Sequence, residues 1–216
     1  MIIAIDGPAG SGKTTVAKLL AKKLNTLYLN TGAMYRALTL KALEDNVDLS
    51  DREILAKLAK NLDLVIEEDR IYLDGRDVSQ KIRAPFVDKN ISRVVSYPQI
   101  RAVMVDLQRK VAQGGNCVVE GRDITTVVFP EAECKFYLDA DFCMRAQRRC
   151  KELKEKGIYV DDQEIAQDLK RRDNADKERE VGALQLNPDA VYIDTTHLTI
   201  EEVVEKLAEY VAKAEK

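Results

Sequence analysis

Histidine is almost missing from this chain: His197, in a loop-like stretch near the end, is the only one. Its late loop position reads as that of a surface residue and not of a base, so no Ser-His-Asp or Cys-His constellation is assembled around it, and the commonest routes to nucleophilic catalysis are not expected. Cysteine is sparse and unpatterned. Cys117, Cys134, Cys143 and Cys150 show neither C-x-x-C spacing nor a histidine partner. A structural zinc site is therefore not expected, and the thiols read as reduced, in a cytoplasmic protein. No apolar run approaches the ~20 residues that cross a bilayer, so no membrane partner is expected. The fold pattern starts at Ile2, leaving no room for a secretory leader. Internal repeats and low-complexity tracts are absent. A net charge of -3 gives no global attraction to a nucleic acid polymer, so any functional positive charge must be local.

What the chain does have begins at once. Its 216 residues, 45% of them apolar, suffice for one domain with a sizeable core. Ile2 to Ile5 is an apolar run that fits a buried strand. Gly7-Pro8-Ala9-Gly10-Ser11-Gly12-Lys13-Thr14 then satisfies G-x-x-x-x-G-K-[ST], and Val16, Ala17, Leu20 and Leu24 follow at helical spacing. Strand, glycine loop and helix in that order are the context of a phosphate-binding loop. The glycines let successive N–H groups turn inward onto phosphate oxygens, and the following helix adds its positive end. Lys13 is placed to reach β- and γ-phosphates, and the Thr14 hydroxyl to ligate Mg²⁺.

Further on, strand and helix patterns alternate, which predicts an α/β sheet covered on both faces. Thr26 to Leu29 reads as a strand entering a helix at Asn30–Arg36. Ser50 with Glu53 suggests a capping box for a helix carrying Ile54, Leu55, Leu58 and Leu62. Residues 64–67 and 70–73, joined by an acidic turn, and an Asp74-Gly75 turn predict antiparallel hairpins, foreign to a parallel sheet. This part reads as an insertion. Two helices follow, one with Val87, Ile91, Val94 and Val95, the next from Pro98 towards Gly114-Gly115. Strands are expected at 116–120, 135–138 and 190–193. A charged helical stretch, 141–179, breaks near 154–157. A Thr199…Glu202 capping box opens the last helix.

Glu120 ends an apolar strand and precedes Gly121-Arg122-Asp123. Ligands of doubly wound sheets bind beyond the carboxyl ends of strands, where such an acid can hold Mg²⁺ or its water shell. Arginine supplies the second signal. Arg36, Arg101, Arg122, Arg172 and Arg179 sit at element boundaries or beside helical runs. Arg145, Arg148 and Arg149 form a cluster that suits a mobile cover bringing charge to a γ-phosphate. Forked guanidiniums match phosphate oxygens. A phosphate acceptor needs no base to take its proton, because it is largely dianionic at neutral pH, whereas a hydroxyl acceptor does. Many arginines and no evident base favour the phosphate, although Asp123 could serve as a base. The guanine-reading N-K-x-D of switch GTPases is lacking, since Asp88-Lys89-Asn90 runs in the wrong order within a helical pattern.

From Ile2 to about Tyr210 the sequence resembles the bacterial-type cytidylate kinases of the nucleoside monophosphate kinase group. The resemblance is carried by I-D-G-P-A-G-S-G-K-T-T at 5–15, L-N-T-G-A-M-Y-R at 29–36, D-G-R-D-V at 74–78 and I-R-A-P at 82–85. E-G-R-D-I at 120–124, V-V-F-P-E-A at 127–132 and R-R-D-N-A-D-K-E-R at 171–179 complete it. It implies a P-loop NTPase fold, three-layer α/β/α, with about five parallel strands in a single domain over 1–216. Within it, 63–97 would be a monophosphate-binding insertion and 145–172 a helical lid. The implied reaction is phosphoryl transfer from ATP to CMP or dCMP with Mg²⁺, by a monomer. Gly7 through Thr15 would hold the ATP phosphates, and Arg36 and Arg122 the acceptor phosphate. Thr31, Arg101, Asp123 and Arg179 would line the cytosine pocket, while Ser92, Arg172 and Asp176 meet the sugar. Lys13, Arg122, Asp123, Arg148 and Arg149 would serve the chemistry, with Thr14 and Glu120 at the metal. Three residues depart from the pattern: Asn30 stands where aspartate is usual, Thr125 where glycine is usual, and Glu120 where some members have aspartate. The alternatives are a kinase for another small acceptor and a non-catalytic nucleotide-binding regulator.

Overall fold

The computed structural model describes residues 1–67, 70–155 and 157–214. In chain order the elements are β1 (Ile2–Asp6), α1 (Lys13–Leu24), β2 (Leu27–Asn30), α2 (Thr31–Glu44), α3 (Arg52–Lys60), β3 (Leu64–Glu67), β4 (Arg70–Leu73) and β5 (Arg76–Asp77). A 3₁₀ turn (Lys81–Arg83) leads to α4 (Pro85–Val95), α5 (Pro98–Val111) and β6 (Cys117–Gly121). A wide turn at Ile124–Val128, closed by i→i+5 bonds such as Phe129 N–H to Ile124 O at 2.7 Å, precedes β7 (Cys134–Asp139). The chain ends with α6 (Phe142–Glu155), α7 (Asp162–Lys177), β8 (Val191–Asp194) and α8 (Ile200–Ala214).

Five strands form one parallel sheet in the order β2-β6-β1-β7-β8. Successive side chains of a strand face opposite ways, so its apolar runs serve two layers. Ala4, Leu29 and Val119 pack with Met34, Leu38, Leu55, Ile100 and Met104 from α2, α3 and α5. Ile3, Ile5, Val118 and Leu138 pack with Val16 and Leu20 of α1 and Val203, Leu207 and Val211 of α8. Each fully buried Leu or Ile contributes about 2 kcal/mol.

The insertion stands apart as a three-stranded antiparallel sheet, β3-β4-β5. Asp74 and Gly75 both take positive φ (50° and 72°), as a two-residue hairpin turn of this hand requires. The acidic turn expected at 68–69 lies outside the described residues. Ile71, Leu73, Val78, Ile82 and Val87 bury against Ala33, Ala37 and Leu40 of α2, fixing the insertion beside the main sheet.

Local signals mostly hold. Thr199 and Glu202 cap α8 reciprocally, at 2.8 and 3.2 Å. Ser50 does not cap α3. Asp51 does, its carboxylate accepting from the N–H groups of Glu53 and Ile54, while Ser50 turns back onto Asp48. The helix starts one residue later than the Ser50…Glu53 spacing requires, and a carboxylate satisfies two orphan donors together. The charged stretch divides into α6 and α7, with Gly157 at φ 72° just past the end of α6.

From β1 the chain runs through α1 out to β2 at one edge, then returns through β6 and passes over β1 to β7 and β8 on the other side. The strand order thus reverses beside β1, and a crevice opens at the carboxyl ends of the strands. There the phosphate loop, Asn30-Thr31 and Glu120–Asp123 converge.

Candidate active site

The phosphate loop is closed by contacts only glycine permits. A Cβ on Gly7 would collide with the Leu138 carbonyl, and one on Gly10 (φ 77°) would sit 2.9 Å from the Arg145 carbonyl oxygen. Gly12 is the N-cap of α1 and supplies no side-chain acceptor, which leaves the first N–H groups of that helix for a ligand. Lys13 folds over the loop and donates to the Pro8 carbonyl at 2.9 Å. Burial first, then the neighbouring Arg122, pulls its pKa down to about 7. An anion in the loop would restore its charge. The Ser11 hydroxyl is buried there with no hydrogen-bond partner among the described residues.

Glu120 projects from β6 beside this loop. One carboxylate oxygen accepts from the Thr14 hydroxyl at 2.9 Å. The other accepts from Tyr28 at 2.7 Å and from the Asn30 amide at 2.8 Å. Burial and the charge of Glu120 push the Tyr28 phenol well above its ordinary range, so it remains a donor. Asn30 works in two directions, since its carbonyl also caps α2 by accepting from Ala33 N–H at 2.9 Å. An aspartate at 30 would instead set a second carboxylate against Glu120. Thr14 and Glu120 offer adjacent hard oxygen ligands of the kind Mg²⁺ takes, so the residues present fit that ion.

Across the crevice the arginines gather. Arg36 donates to the Ile82 carbonyl at 3.1 Å and to Asp88 at 2.5 Å. Asp176 accepts from Arg122 at 2.7 Å and from Arg179 at 2.5 Å. These two outweigh the effect of burial and hold its carboxyl below the usual range. Arg101 and Asp123 form a buried ion pair, with Arg101 over the Tyr35 ring at 5.5 Å and its Nε without a partner among the described residues. Burial pushes the Asp123 carboxyl up, against the pull of Arg101. Thr31 donates to the Glu120 carbonyl at 2.8 Å.

The cluster at 145–149 divides its labour. Arg145 is a buried strut, donating to Ala9 O and Ala140 O, each at 3.1 Å, and to Asp173 at 2.7 Å. It ties α6 and α7 to the phosphate loop. Arg148 donates to the Thr195 carbonyl at 2.6 Å, and the Thr195 hydroxyl reaches Ser11 O at 3.0 Å. Arg149 meets Glu152 at 2.7 Å and Asp88 at 3.6 Å. Glu120, Asp123, Asp176 and the arginines just described other than Arg145 line one cavity of about 930 Å³, whereas Tyr28, Asp88 and Arg145 stand behind its wall.

Comparison with known proteins decides the family. The cytidylate kinase family model matches residues 3–213. The chain is 48% identical over 211 residues to the cytidylate kinase of Caldanaerobacter subterraneus subsp. tengcongensis, covering 98% of this chain and 94% of that one. It is 46% identical to the cytidylate kinase of Alkaliphilus oremlandii, over 95% of this chain and 94% of the relative. The chain belongs to the cytidylate kinase family. A crystal structure of an uncharacterized protein from Eubacterium ventriosum shares the fold, with a TM-score of 0.52 and 16% identity over 98% of each chain.

This cytidylate kinase family member is thus a phosphotransferase, and the residues expected to serve it can be located. Ala9 through Thr15, Thr31, Arg36, Ser92, Arg101, Glu120, Arg122, Asp123, Arg148, Arg149, Arg172, Asp176 and Arg179 all line the cavity. Gly7 and Pro8 are not among its lining residues. Gly7 packs on Leu138 and Pro8 holds Lys13 through its carbonyl. Sequence reasoning missed three residues. Tyr28 carries a signal, since it precedes Asn30 by two and so shares its side of β2. Asp6, fully buried, accepts from Ile124 N–H and Thr125 N–H at 2.8 Å and from the Thr125 hydroxyl at 2.7 Å. The departure at Thr125 therefore adds a bond that glycine lacks. Asp88 is the third.

Proposed function

We propose that this enzyme transfers the γ-phosphoryl group of ATP to CMP and dCMP, with Mg²⁺ bound to the donor phosphates. One observation carries the reading: a glycine phosphate cradle and the buried Arg101–Asp123 pair open into a single cavity. Gly7 to Thr15 would hold ATP, with Thr14 and Glu120 at the ion. Arg36 and Arg122 would grip the acceptor phosphate, and Ser92, Arg172 and Asp176 the sugar.

The base pocket supports cytosine by its chemistry. A carboxylate such as Asp123 accepts from the exocyclic N4 amino group. The guanidiniums of Arg101 and Arg179 can donate to ring O2 and N3, and Thr31 completes the wall. Uracil presents a carbonyl where cytosine has the amino group, so Asp123 would meet an acceptor and stay unpaired. Mismatches of this kind discriminate by about 10⁴ or more in sites that read hydrogen bonds.

Catalysis would rest on alignment and charge, without a covalent enzyme intermediate. Mg²⁺ supplies neutralisation at the donor phosphates. Lys13, Arg122, Arg148 and Arg149 would stabilise the group in transit, and the dianionic acceptor needs no base. In this reading residues 63–97 are the acceptor-binding insertion. Residues 145–172 are a lid whose closure limits wasteful hydrolysis. The enzyme would act as a cytoplasmic monomer. A coupled ADP-release assay over CMP, dCMP, UMP, AMP and GMP tests the proposal. CMP and dCMP should lead. A lead by AMP or GMP, or no turnover with any monophosphate, would overturn it.

A further inference from the structure

The roles above give no part to Asp88. Asp88, on α4, faces guanidiniums from three other helices: Arg36 at 2.5 Å, Arg149 at 3.6 Å and Arg172 at 3.9 Å. All three arginines line the cavity. Like charges are crowded here. Arg172 is held below its ordinary pKa first by burial, then by Arg122 and Arg36, while Asp88 and Asp176 act in the opposite sense. Carboxylate and phosphate oxygens compete for the same forked donors. Arg36 spends one terminal nitrogen on Ile82 O and the other on Asp88, so both of its terminal nitrogens are already engaged.

We propose that Asp88 is an internal competitor for the acceptor phosphate, gathering Arg36, Arg149 and Arg172 before the nucleotide arrives and yielding Arg36 to it. The inference rests on the acceptor being a phosphate-bearing nucleotide. Its consequence is a deliberately moderate acceptor affinity. The carboxylate that assembles the arginines also repels the dianion, and it recaptures them as product leaves.

The test is a gain of affinity, which damage to the fold does not produce. Asp88→Asn keeps the shape and removes the charge; Asp88→Ser is the second variant should the first fail to fold. The phosphate loop is first saturated with Mg²⁺ and a non-hydrolysable ATP analogue, and inorganic phosphate is then titrated by calorimetry. KM for CMP and for ATP is measured in parallel. Phosphate Kd and KM for CMP should both fall about fivefold or more on loss of the nearby charge, with KM for ATP unchanged. An unchanged or raised phosphate Kd, in a variant that melts at the wild-type temperature, overturns the proposal. Should the wild-type enzyme take no cytidine nucleotide, the functional reading fails, and the phosphate titration still decides the role of Asp88.

Discussion

Asp123 and Arg101 are buried as a pair, each supplying the opposite charge where water would otherwise screen the other. Asp123→Ala is expected to cut kcat/KM for CMP by about 10³-fold or more, since a base-reading contact is lost and Arg101 is left unpaired. Binding of an ATP analogue should stay within about twofold, because the phosphate loop is untouched. Normal CMP turnover in that variant would refute the base-pocket assignment. Asp6 makes a separate prediction. Burial above all, with help from the charge of Asp123, raises its pKa from 3.8 to about 6, despite three hydrogen bonds that favour the anion. The folded value lies above the unfolded one, so folded protein holds the extra proton between them. Asp6 therefore costs stability progressively as pH rises from about 4 to about 6, roughly 3 kcal/mol in all. Asp6→Asn should lose that slope whatever constant offset it carries, as denaturant titrations at pH 4, 5, 6 and 7 would show. A difference from wild type that is flat with pH would sink the account. The two residues differ in how far they could be read in advance. The phosphate loop is contiguous and chemically overdetermined, and Glu120 stands out as an acid ending an apolar strand. Asp6 finds its partners 118 and 119 residues away, and no periodicity points there.

Helices α6 and α7 show how charge can supplement a thin apolar stripe, since α7 buries only Ile165 and Leu169 in line with Asp173. Their sequence is rich in Arg, Lys, Asp and Glu, so the pattern identified a charged helical region but not what fastens it. The fastening is Arg145, buried with Asp173 and bonded to the phosphate-loop carbonyl of Ala9. Removing one partner of a buried pair costs about 3–5 kcal/mol, whereas exchanging both for apolar groups is often neutral. Arg145→Ala is accordingly expected to lower Tm by about 10 °C. The double change Arg145→Met with Asp173→Leu should recover most of that loss. Calorimetric scans of the two variants check this, and equal losses in both would show that the pair is not the fastening. Elsewhere apolar periodicity located the strands to within about a residue, because each central strand must feed two layers. The start of α3 was misread because two neighbouring residues, Ser50 and Asp51, are both good caps. Only the backbone geometry selects between them.

Seen whole, the chain carries a net charge of -3 and yet surrounds its cavity with guanidiniums. The attraction for an anionic acceptor is therefore short-ranged. Raising salt from about 50 to 500 mM should lift KM for CMP several-fold while kcat changes little, since exposed charges are screened over about 10 Å at 0.1 M. Initial rates at three salt concentrations test it, and a KM indifferent to salt would count against the arginine seat. The strand order has a further consequence, for synthesis rather than catalysis. Ile2–Asp6 is translated early but pairs with strands beginning at Cys117 and Cys134. At ordinary elongation rates that apolar segment waits on the order of ten seconds beyond the ribosome before either neighbour exists. The strand that leads into the phosphate loop thus stays without its partners for much of synthesis, where a chaperone would find it.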